Sequence, residues 1–318
     1  MPLYSGGMSI STPPSPPSAP LILTPEGWHD VQLLDSGHGR KLEQVGRFRF
    51  IRPEMQALWP PALSADAWQQ ADGEFVASAA SKTADEDGGK WKLSPDLPSS
   101  WSVHYDGVRF MAMPTPFRHL GFFPEQSGHW QWCAERCRDF SRIHGRPLKL
   151  LNLFGYTGVA SLHAAHHGAE VTHVDSSKKA IAQAFENRNT AGLDDAPIRF
   201  ITEDARSFVK REIRRERFYD GVILDPPKYG RGVKGEVWRM EEDISPLLAD
   251  IRSILSEDAC FVVLTSYAIR SSFLSLHHLM AHHMADRGGA VTSGELAVQE
   301  TTPRQFRIGQ AIFARWQG

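Results

Sequence analysis

Short apolar runs alternate with helical segments through the second half of this 318-residue chain, and this rhythm restricts the fold more than any other feature. Each run is followed by a segment with helical periodicity or a capping residue. Strands joined by helices in this way pair in parallel, with helices on both faces of the sheet. The rhythm therefore predicts an α/β fold with a doubly wound sheet, whose candidate strands are residues 148–154, 170–175, 198–202, 219–225 and 259–266.

The end of the chain breaks this rhythm. Two β-like runs, "GELAVQET" at 294–301 and "FRIGQAIFARW" at 306–316, are joined by the four residues "TPRQ" with no helix between them. Strands that are joined by so short a link pair in antiparallel fashion. We therefore expect an antiparallel hairpin at the edge of the sheet.

The first 120 residues have a different character. Residues 1–20 hold six prolines and five serines and no charged side chain, which predicts a disordered tail without the pattern of a signal peptide. Residues 21–120 contain short β-like runs between turn-rich stretches, as a small β-rich domain would. An amphipathic helix follows, with Cys133 and Cys137 on its packing face. Residues 121–318 are then the α/β domain.

Composition narrows the class of protein. Hydrophobic residues make up 41% and charged residues 23% of the chain, and no run approaches the roughly 18 apolar residues of a membrane helix. Three cysteines are too few for a disulfide framework or a four-thiolate metal site. We therefore expect a cytoplasmic protein with no metal and no membrane association. A net charge of -2 neither requires nor excludes a nucleic acid partner, because a local basic patch can exist in a neutral protein.

Residues with binding chemistry follow consecutive strands of the predicted sheet. In an open α/β sheet, ligands bind beyond the carboxyl ends of the strands. Gly155 and Gly158 follow the first strand, where glycine lets the backbone approach a ligand closely. Asp175 lies 17 positions after Gly158, about the spacing at which an acidic residue reaches ribose hydroxyls. The third strand ends in Glu203-Asp204-Ala205, which can accept from an adenine amino group, and the fourth ends in Asp225-Pro226-Pro227.

These strand ends, together with the antiparallel C-terminus, resemble the class I S-adenosylmethionine-dependent methyltransferases over residues 120–318. The resemblance implies a Rossmann-like, seven-stranded sheet and S-adenosylmethionine as cofactor. A nicotinamide dehydrogenase shares the acidic residue after the second strand, but it requires a G-x-G-x-x-G turn, and the turn here reads Gly155-Tyr156-Thr157-Gly158. A dehydrogenase is therefore the weaker interpretation.

A narrower resemblance is carried by "GFFPEQ", "NLFGYTG", "DPPKYGRG" with the "WRMEEDISPLL" that follows it, and "LTSYAIRSS". These segments look like those of the bacterial large-subunit ribosomal RNA methyltransferase family that includes the cytosine-5 enzymes. The resemblance implies an RNA substrate and places Gln126 against the cofactor. The cofactor-binding residues that follow from the strand ends and the resemblance are Gln126, Asn152, Phe154, Gly155, Thr157, Gly158, Asp175, Ser176, Glu203, Asp204, Ala205 and Asp225.

The chain also departs from that family. Residues 21–120 show no clear signature of the family's RNA-binding PUA domain, and the position of the nucleophilic cysteine of the cytosine-5 enzymes is Ser266. A serine without a nearby base is a poor nucleophile for attack on a pyrimidine ring. We therefore favour methylation of a nitrogen, which needs no covalent nucleophile. Cys260, six residues earlier, is the thiol that would reverse this preference if folding brought it close.

Catalysis of methyl transfer is mainly a matter of positioning, because the cofactor supplies the electrophile. Asp225 can accept hydrogen bonds from a base, while the prolines fix φ and end the strand. The aromatic two places after the second proline, Tyr229, can stack on a flat substrate. The predicted catalytic residues are Asp225, Pro226, Pro227 and Tyr229, and the predicted substrate contacts are Lys228, Arg231, Lys234 and Ser266.

Three alternatives stay open at this point. The chain could be a methyltransferase that acts on a protein or a small molecule, a nucleotide-binding dehydrogenase, or a non-catalytic RNA-binding module that retains the fold. The sequence does not indicate which base, which atom or which oligomeric state is correct.

Overall fold

The structure is a computed structural model that describes residues 19–77, 88–232, 235–267 and 271–318. Nearly all of the predicted disordered tail at 1–20 lies outside these ranges, and so does the predicted substrate contact Lys234.

The N-terminal region is rich in β-structure, as expected. After a three-residue strand, β1 (Leu21–Leu23), the chain forms a five-stranded sheet and a separate two-stranded sheet, with one short helix between the third and fourth strands of the larger sheet. These elements are β2 (Val31–Gly37), β3 (Arg40–Val45), β4 (Phe48–Pro53), α1 (Ala65–Gln69), β5 (Gly73–Ala77), β6 (Gly89–Leu93), β7 (Trp101–Tyr105) and β8 (Val108–Ala112). Aromatic packing joins the two sheets, and the Trp101 ring stacks on that of Phe50 at 5.4 Å between centroids.

The remaining elements alternate as the sequence predicts. A 3₁₀ turn at Pro124–Gln126 leads directly into the first long helix. The elements are α2 (Ser127–His144), β9 (Lys149–Leu153), α3 (Val159–His166), β10 (Glu170–Asp175), α4 (Lys178–Thr190), β11 (Ile198–Thr202), α5 (Ala205–Arg214), β12 (Gly221–Leu224), β13 (Tyr229–Arg231), β14 (Val237–Arg239), α6 (Met240–Ser253), β15 (Phe261–Ser266), α7 (Phe273–Met284), β16 (Ala290–Gln299) and β17 (Arg307–Gln317).

The main sheet has the order β1-β16-β17-β15-β12-β9-β10-β11. β17 runs antiparallel to both β15 and β16, which confirms the predicted C-terminal hairpin. The strand order reverses between β9 and β12, and such a reversal is where α/β sheets bind ligands.

β1 adds an eighth strand to the seven that were expected. It pairs in parallel with Gly294–Leu296 of β16, so the hairpin is not the outer edge of the sheet. A side chain at Gly294 would overlap the Leu21 carbonyl, so glycine is required for this close approach. Three residues are too few to show any hydrophobic periodicity, which is why the sequence gives no indication of this strand.

Helices cover both faces of the sheet. On one face α5, α6 and α7 pack through residues such as Phe208, Leu247 and Met280. On the other face α2 packs through Cys133 and Cys137, which are buried, so the cysteine pair belongs to the helix's packing face as predicted. No helix within the described ranges is long and apolar enough to cross a bilayer. The boundary at residue 120 between the two predicted domains stays a prediction.

Candidate functional site at the carboxyl edge of the sheet

The turn after β9 has an unusual backbone. Phe154 and Tyr156 adopt positive φ angles of 56° and 50°, which bulky residues rarely do. Gly155 lies between them, and a side chain there would overlap the His173 imidazole. Strained conformations of this kind are concentrated at binding sites, where the surrounding structure maintains them.

Asp175, at the end of β10, holds this turn in place. Its Oδ2 accepts from the Tyr156 N–H at 2.9 Å, and its Oδ1 accepts from the Ser177 N–H at 2.7 Å. Burial raises the pKa of Asp175, and the two N–H donors oppose that rise. A carboxylate has about four acceptor positions, so Asp175 can still accept hydrogen bonds from a ligand.

A small cavity of about 40 Å³ opens beside Asp175, and we call it the acidic cavity. Its three carboxylates differ in what they already bind: Asp204 accepts from the Ser207 N–H at 2.9 Å and so caps α5, while Glu203 pairs with Arg211. The acidic cavity is lined by Phe154, Val174, Asp175, Ser176, Glu203, Asp204, Ala205, Pro227, Gly230, Arg231, Gly232 and Trp238. Five of the predicted cofactor contacts therefore line the acidic cavity: Asp175 and Ser176 after β10, and Glu203, Asp204 and Ala205 after β11.

Asp225 follows β12 and faces a hydrogen-bond network. Its Oδ2 accepts from Gln126 Nε2 at 2.6 Å, and the same Nε2 lies 3.2 Å from the Tyr267 hydroxyl. Tyr267 in turn bonds to the buried Glu125. Asp225 Oδ1 is buried and has no hydrogen-bond partner among the described residues.

The environment of Asp225 changes its acidity. Burial raises the pKa of Asp225 to about 7, the nearby charge of Glu125 acts in the same direction, and donation from Gln126 opposes both. Near neutral pH, Asp225 therefore exchanges between a carboxylic acid and a carboxylate. It can accept a hydrogen bond or a proton, and Oδ1 is the atom that remains available for this.

A second small cavity, also of about 40 Å³, lies beside Asp225, and we call it the aromatic cavity. The aromatic cavity is lined by Phe122, Phe123, Gln126, Trp130, Asn152, Phe154, Gly155, Tyr156, Thr157, Val159, Ala160, Ile223 and Asp225. Phe154 lines both cavities, so together they extend from Asp175 to Asp225 across the point where strand order reverses.

Some predicted ligands use their side chains inside the protein. Asn152 donates from Nδ2 to Ser161 Oγ at 2.8 Å, and Ser161 Oγ lies 3.0 Å from His173 Nδ1. Thr157 donates from its hydroxyl to the Gly121 carbonyl at 2.7 Å. Gly158 has φ 87° and begins α3. These residues shape the wall of the aromatic cavity, and their direct contact with a cofactor stays a prediction.

The segment after Pro227 forms a small hairpin, β13–β14, beside the acidic cavity. Trp238 Nε1 donates to the Pro227 carbonyl at 2.6 Å, and the Trp238 ring packs on Phe154 at 5.0 Å between centroids. Tyr229 is half exposed and accepts from Arg231 Nε at 3.2 Å. The Lys228 carbonyl accepts from the Met240 N–H, and Lys228 is exposed.

Ser266 ends β15 and is 1% exposed, with a fully buried hydroxyl that has no partner in the described part of the chain. Its contact with a substrate stays a prediction.

The three cysteines lie away from this site. Cys260 comes just before β15, and its N–H donates to the Asp220 carbonyl, at the amino edge of the sheet opposite Asp225. Burial raises the pKa of the Cys260 thiol to about 12 and also raises those of Cys133 and Cys137. None of the three thiols is positioned or ionised to attack a substrate at Asp225.

Glu125, Phe123 and Tyr267 belong to the site without any sequence pattern that marks them. Glu125 and Phe123 lie in the segment "GFFPEQ" and Tyr267 in "LTSYAIRSS", so the segments were indicated but the individual side chains were not. Burial raises the pKa of Glu125 and that of Tyr267.

One group of side chains has the composition of a metal site. The Asp106 carboxylate lies 2.9 Å from His163 Nε2 and 3.2 Å from His167 Nε2, and the three possible ligand atoms lie within 4.8 Å of one another. These contacts join the turn between β7 and β8 to the end of α3. Hydrogen bonds account for them, so we assign no metal here, and the expected absence of a metal stays a prediction.

Comparison with known proteins identifies the family. A family model described as "Conserved hypothetical protein 95" matches residues 131–284. The crystal structure of the S-adenosylmethionine-dependent methyltransferase from Agrobacterium tumefaciens is 45% identical and superposes with a TM-score of 0.89, covering 99% of both chains. A structure described as an S-adenosylmethionine-dependent methyltransferase from Streptococcus mutans is 16% identical, with a TM-score of 0.65 over 91% of this chain and 76% of that one, and supports the fold alone.

Curated relatives match over shorter stretches. The ribosomal RNA large subunit methyltransferase K/L of Shewanella frigidimarina is 36% identical over 109 residues, which are 34% of this chain and 15% of that protein. The protein of the same name from Hahella chejuensis is 29% identical over 168 residues, which are 52% of this chain and 22% of that protein. The chain thus spans about a fifth of these relatives. On the full-length match to the Agrobacterium enzyme, this chain belongs to the S-adenosylmethionine-dependent methyltransferases.

Proposed function

We propose that this protein transfers the methyl group of S-adenosylmethionine to a nitrogen atom of a base in RNA, with ribosomal RNA as the favoured substrate. The observation that carries the proposal is the buried Oδ1 of Asp225, which has no partner among the described residues and belongs to a residue that lines the aromatic cavity. Phe154 joins that cavity to the acidic cavity beside Asp175. Family membership excludes the dehydrogenase alternative. The names of the curated relatives support RNA as the substrate class.

S-adenosylmethionine would bind along the wall that the two cavities share at Phe154. Asp175 would accept from the ribose hydroxyls, since its carboxylate retains acceptor positions beside the acidic cavity. Asp204 and Ala205 would face the adenine, and the strained turn at Phe154–Gly158 would lie along the amino acid portion. When bound, the cofactor supplies an electrophilic methyl group on a positively charged sulfur.

Asp225 would orient the acceptor nitrogen. Its Oδ2 accepts from Gln126, which holds the carboxyl group in one orientation and leaves Oδ1 as the oxygen without a partner among the described residues. In its ionised form, Oδ1 accepts a hydrogen bond from an amino or imino N–H and can take the proton that the nitrogen loses. A pKa of about 7 suits that task, because the group is then both ionised and basic enough at neutral pH. The Pro226 carbonyl is a second candidate acceptor.

Nitrogen is favoured over carbon because no thiol reaches the site. Methylation of carbon 5 of a pyrimidine requires a covalent nucleophile, usually a thiolate. Cys260 lies at the opposite edge of the sheet, and Ser266 is buried. A nitrogen lone pair attacks without such help once it is oriented.

We further propose that the N-terminal region and the basic residues Lys228, Arg231 and Lys234 guide RNA by neutralising its phosphates. Arg231 supports this, because it is exposed and borders the acidic cavity. We also propose a cytoplasmic location, because the proposed substrate is RNA.

Tritiated S-adenosylmethionine, incubated with the purified protein and separate RNA, protein and metabolite fractions, tests the substrate class. We expect label in RNA that is lost in the Asp225→Ala variant, while that variant still binds cofactor. Label in protein or metabolites alone would indicate the alternative methyltransferases. No label in any fraction would favour the non-catalytic RNA-binding module.

A further inference from the structure

A line of aromatic rings runs from the surface to the Asp225 network. Phe117 stacks on His119 at 5.7 Å between ring centroids and an interplanar angle of 24°. His119 lies 5.2 Å from Phe123 and 5.4 Å from Tyr156, and Phe123 lies 5.2 Å from Tyr267. We call these five residues the aromatic track.

The inner end of the track is part of the candidate site. Phe123 and Tyr156 line the aromatic cavity together with Asp225. The Tyr267 hydroxyl accepts from the same Gln126 amide that holds Asp225. A flat group that stacks along the track is therefore led toward Asp225 Oδ1.

The outer end of the track is held in an exposed position. Phe117 is 49% exposed, so burial of its ring does not explain its place. Hydrogen bonds fix the loop that presents it: Thr115 donates from its hydroxyl to the His119 carbonyl at 2.9 Å, and Trp91 Nε1 donates to the carbonyls of Thr115 and Phe117 at 2.8 and 3.1 Å. A fixed loop with an exposed ring at its tip is suited to stacking.

Charge around the track suits a nucleic acid. Burial and the positive charges of Arg52 and Arg118 lower the pKa of His119 to about 4, so its imidazole is neutral at pH 7 and can stack as an aromatic ring. Arg52 is paired with Glu43, so Arg118 is the cation of these two that adds positive charge beside the track. Unstacked bases of single-stranded nucleic acid bind to aromatic side chains in this kind of basic setting.

We propose that the aromatic track binds unstacked bases of single-stranded RNA, with Phe117 and His119 stacking nucleotides next to the one that enters the aromatic cavity. This inference rests on the proposed function, and it adds the route by which RNA reaches Asp225. Stacking tolerates any base, so the track would contribute affinity and leave the choice of target to the cavity.

Binding of a fluorescein-labelled, unstructured RNA of about ten nucleotides, followed by fluorescence anisotropy, tests the track. We expect Phe117→Ala to weaken binding roughly 5- to 150-fold, the range that corresponds to stacking of about 1–3 kcal/mol per base. Phe218→Ala is the matched control, because Phe218 is 50% exposed but precedes β12 at the amino edge of the sheet. It should bind RNA like the wild type.

Conservative variants separate stacking from a fold defect. Phe117→Tyr and His119→Phe keep a ring and should retain most of the affinity, whereas His119→Ala should lose it. Cofactor affinity, measured by calorimetry, should be unchanged in Phe117→Ala. Equal RNA affinity in Phe117→Ala and Phe218→Ala would contradict the proposal that the aromatic track binds RNA.

The two proposals fail in different ways. Suppose that the wild type methylates RNA, and that Phe117→Ala binds and methylates RNA to the same extent as Phe218→Ala. The proposed role of the track is then wrong, and the proposed function stands. If RNA binding depends on Phe117 but no methyl group is transferred to RNA, the track stands and the proposed function is wrong.

Discussion

Asp225 has two oxygen atoms in different situations. Oδ2 receives the Gln126 amide hydrogen, while Oδ1 is buried and without a partner in the described residues. A buried polar atom without a partner costs roughly 1–3 kcal/mol. Such a cost is retained at sites where a ligand supplies the missing hydrogen bond, which is the role that we propose for Oδ1.

The first prediction follows from the raised pKa of Asp225. Its folded-state pKa of about 7 lies above the ordinary value of 3.8, so the folded protein binds this proton more tightly than the unfolded chain. The contribution of Asp225 to the free energy of unfolding is therefore fully present below about pH 4, and it is lost as the pH rises through 7. Thermal unfolding should show Asp225→Asn more stable than the wild type at pH 8, with a smaller difference at pH 5.

The exposed Asp195 provides the control for this experiment. Asp195→Asn should show no such change with pH. A stability difference for Asp225→Asn that is the same at pH 5 and pH 8 would contradict a pKa near 7. The rate of methyl transfer should also fall as pH decreases through 7, because protonation removes the free acceptor.

The second prediction concerns Asp175. Its carboxylate would form charge-assisted hydrogen bonds with the cofactor ribose, each worth roughly 1.5–3 kcal/mol, so Asp175→Ala should weaken S-adenosylmethionine binding at least about tenfold. Asp195→Ala should bind like the wild type. Calorimetry that shows unchanged affinity in Asp175→Ala would remove this residue from the cofactor site.

The sequence predicts the residues that end the strands, but it does not predict the hydrogen bonds that connect them across the site. Asp175 and Asp225 follow apolar runs, so the strand pattern alone places them at one edge. Tyr267 lies 141 positions from Gln126, and no local pattern relates two residues so distant in sequence. Position in a segment also does not reveal that a side chain such as Ser266 is enclosed.

At the scale of elements, the connection between β16 and β17 does more than join two strands. Arg304, in the link "TPRQ", donates to Glu300 Oε2 at 2.7 Å, to Asp35 Oδ1 at 3.0 Å and to the Pro60 carbonyl at 2.7 Å. Asp35 and Glu300 are both buried. The link therefore attaches the C-terminal hairpin to the N-terminal sheet.

The third prediction tests this attachment. Arg304→Ala leaves two buried carboxylates without their cation, and breaking a buried pair in this way costs about 3–5 kcal/mol. We expect the lower end of that range in chemical denaturation, because Arg304 is itself partly exposed. Arg307→Ala is the control, since Arg307 is exposed and, among the described residues, its side chain bonds to Gln299. Equal loss in the two variants would argue against the attachment.

The element pattern explains which strands the sequence predicts. Each central strand is a continuous apolar run bounded by a turn or a capping residue, so β9, β10, β11, β12 and β15 are all recognised. β1 has only three residues, and its place depends on Gly294 in a strand more than 270 positions later. Pairing over such distances is set by packing, and local propensity carries no information about it.

At the scale of the whole molecule, the N-terminal sheet contributes charge to the site. Burial would raise the pKa of Glu43, but Arg52 and Lys41 outweigh it and lower that pKa to about 2. Lys41 also donates to Gln310 of β17 at 2.7 Å. The positive charges of Lys41 and Arg52 act to lower the pKa of Glu125, against the larger effect of burial. The charge of Glu125 in turn helps to raise the pKa of Asp225. The acidity of Asp225 therefore depends on contacts from both parts of the chain.

The most direct test of the account is nucleoside analysis of RNA methylated by the wild type and by Asp225→Asn. We predict a base methylated on nitrogen, absent or greatly reduced in the Asp225→Asn product even though that variant binds cofactor, and unchanged in Cys260→Ala. A 5-methylcytosine product, or a covalent protein–RNA adduct through Cys260, would contradict the assignment of Asp225 as the residue that orients a nitrogen.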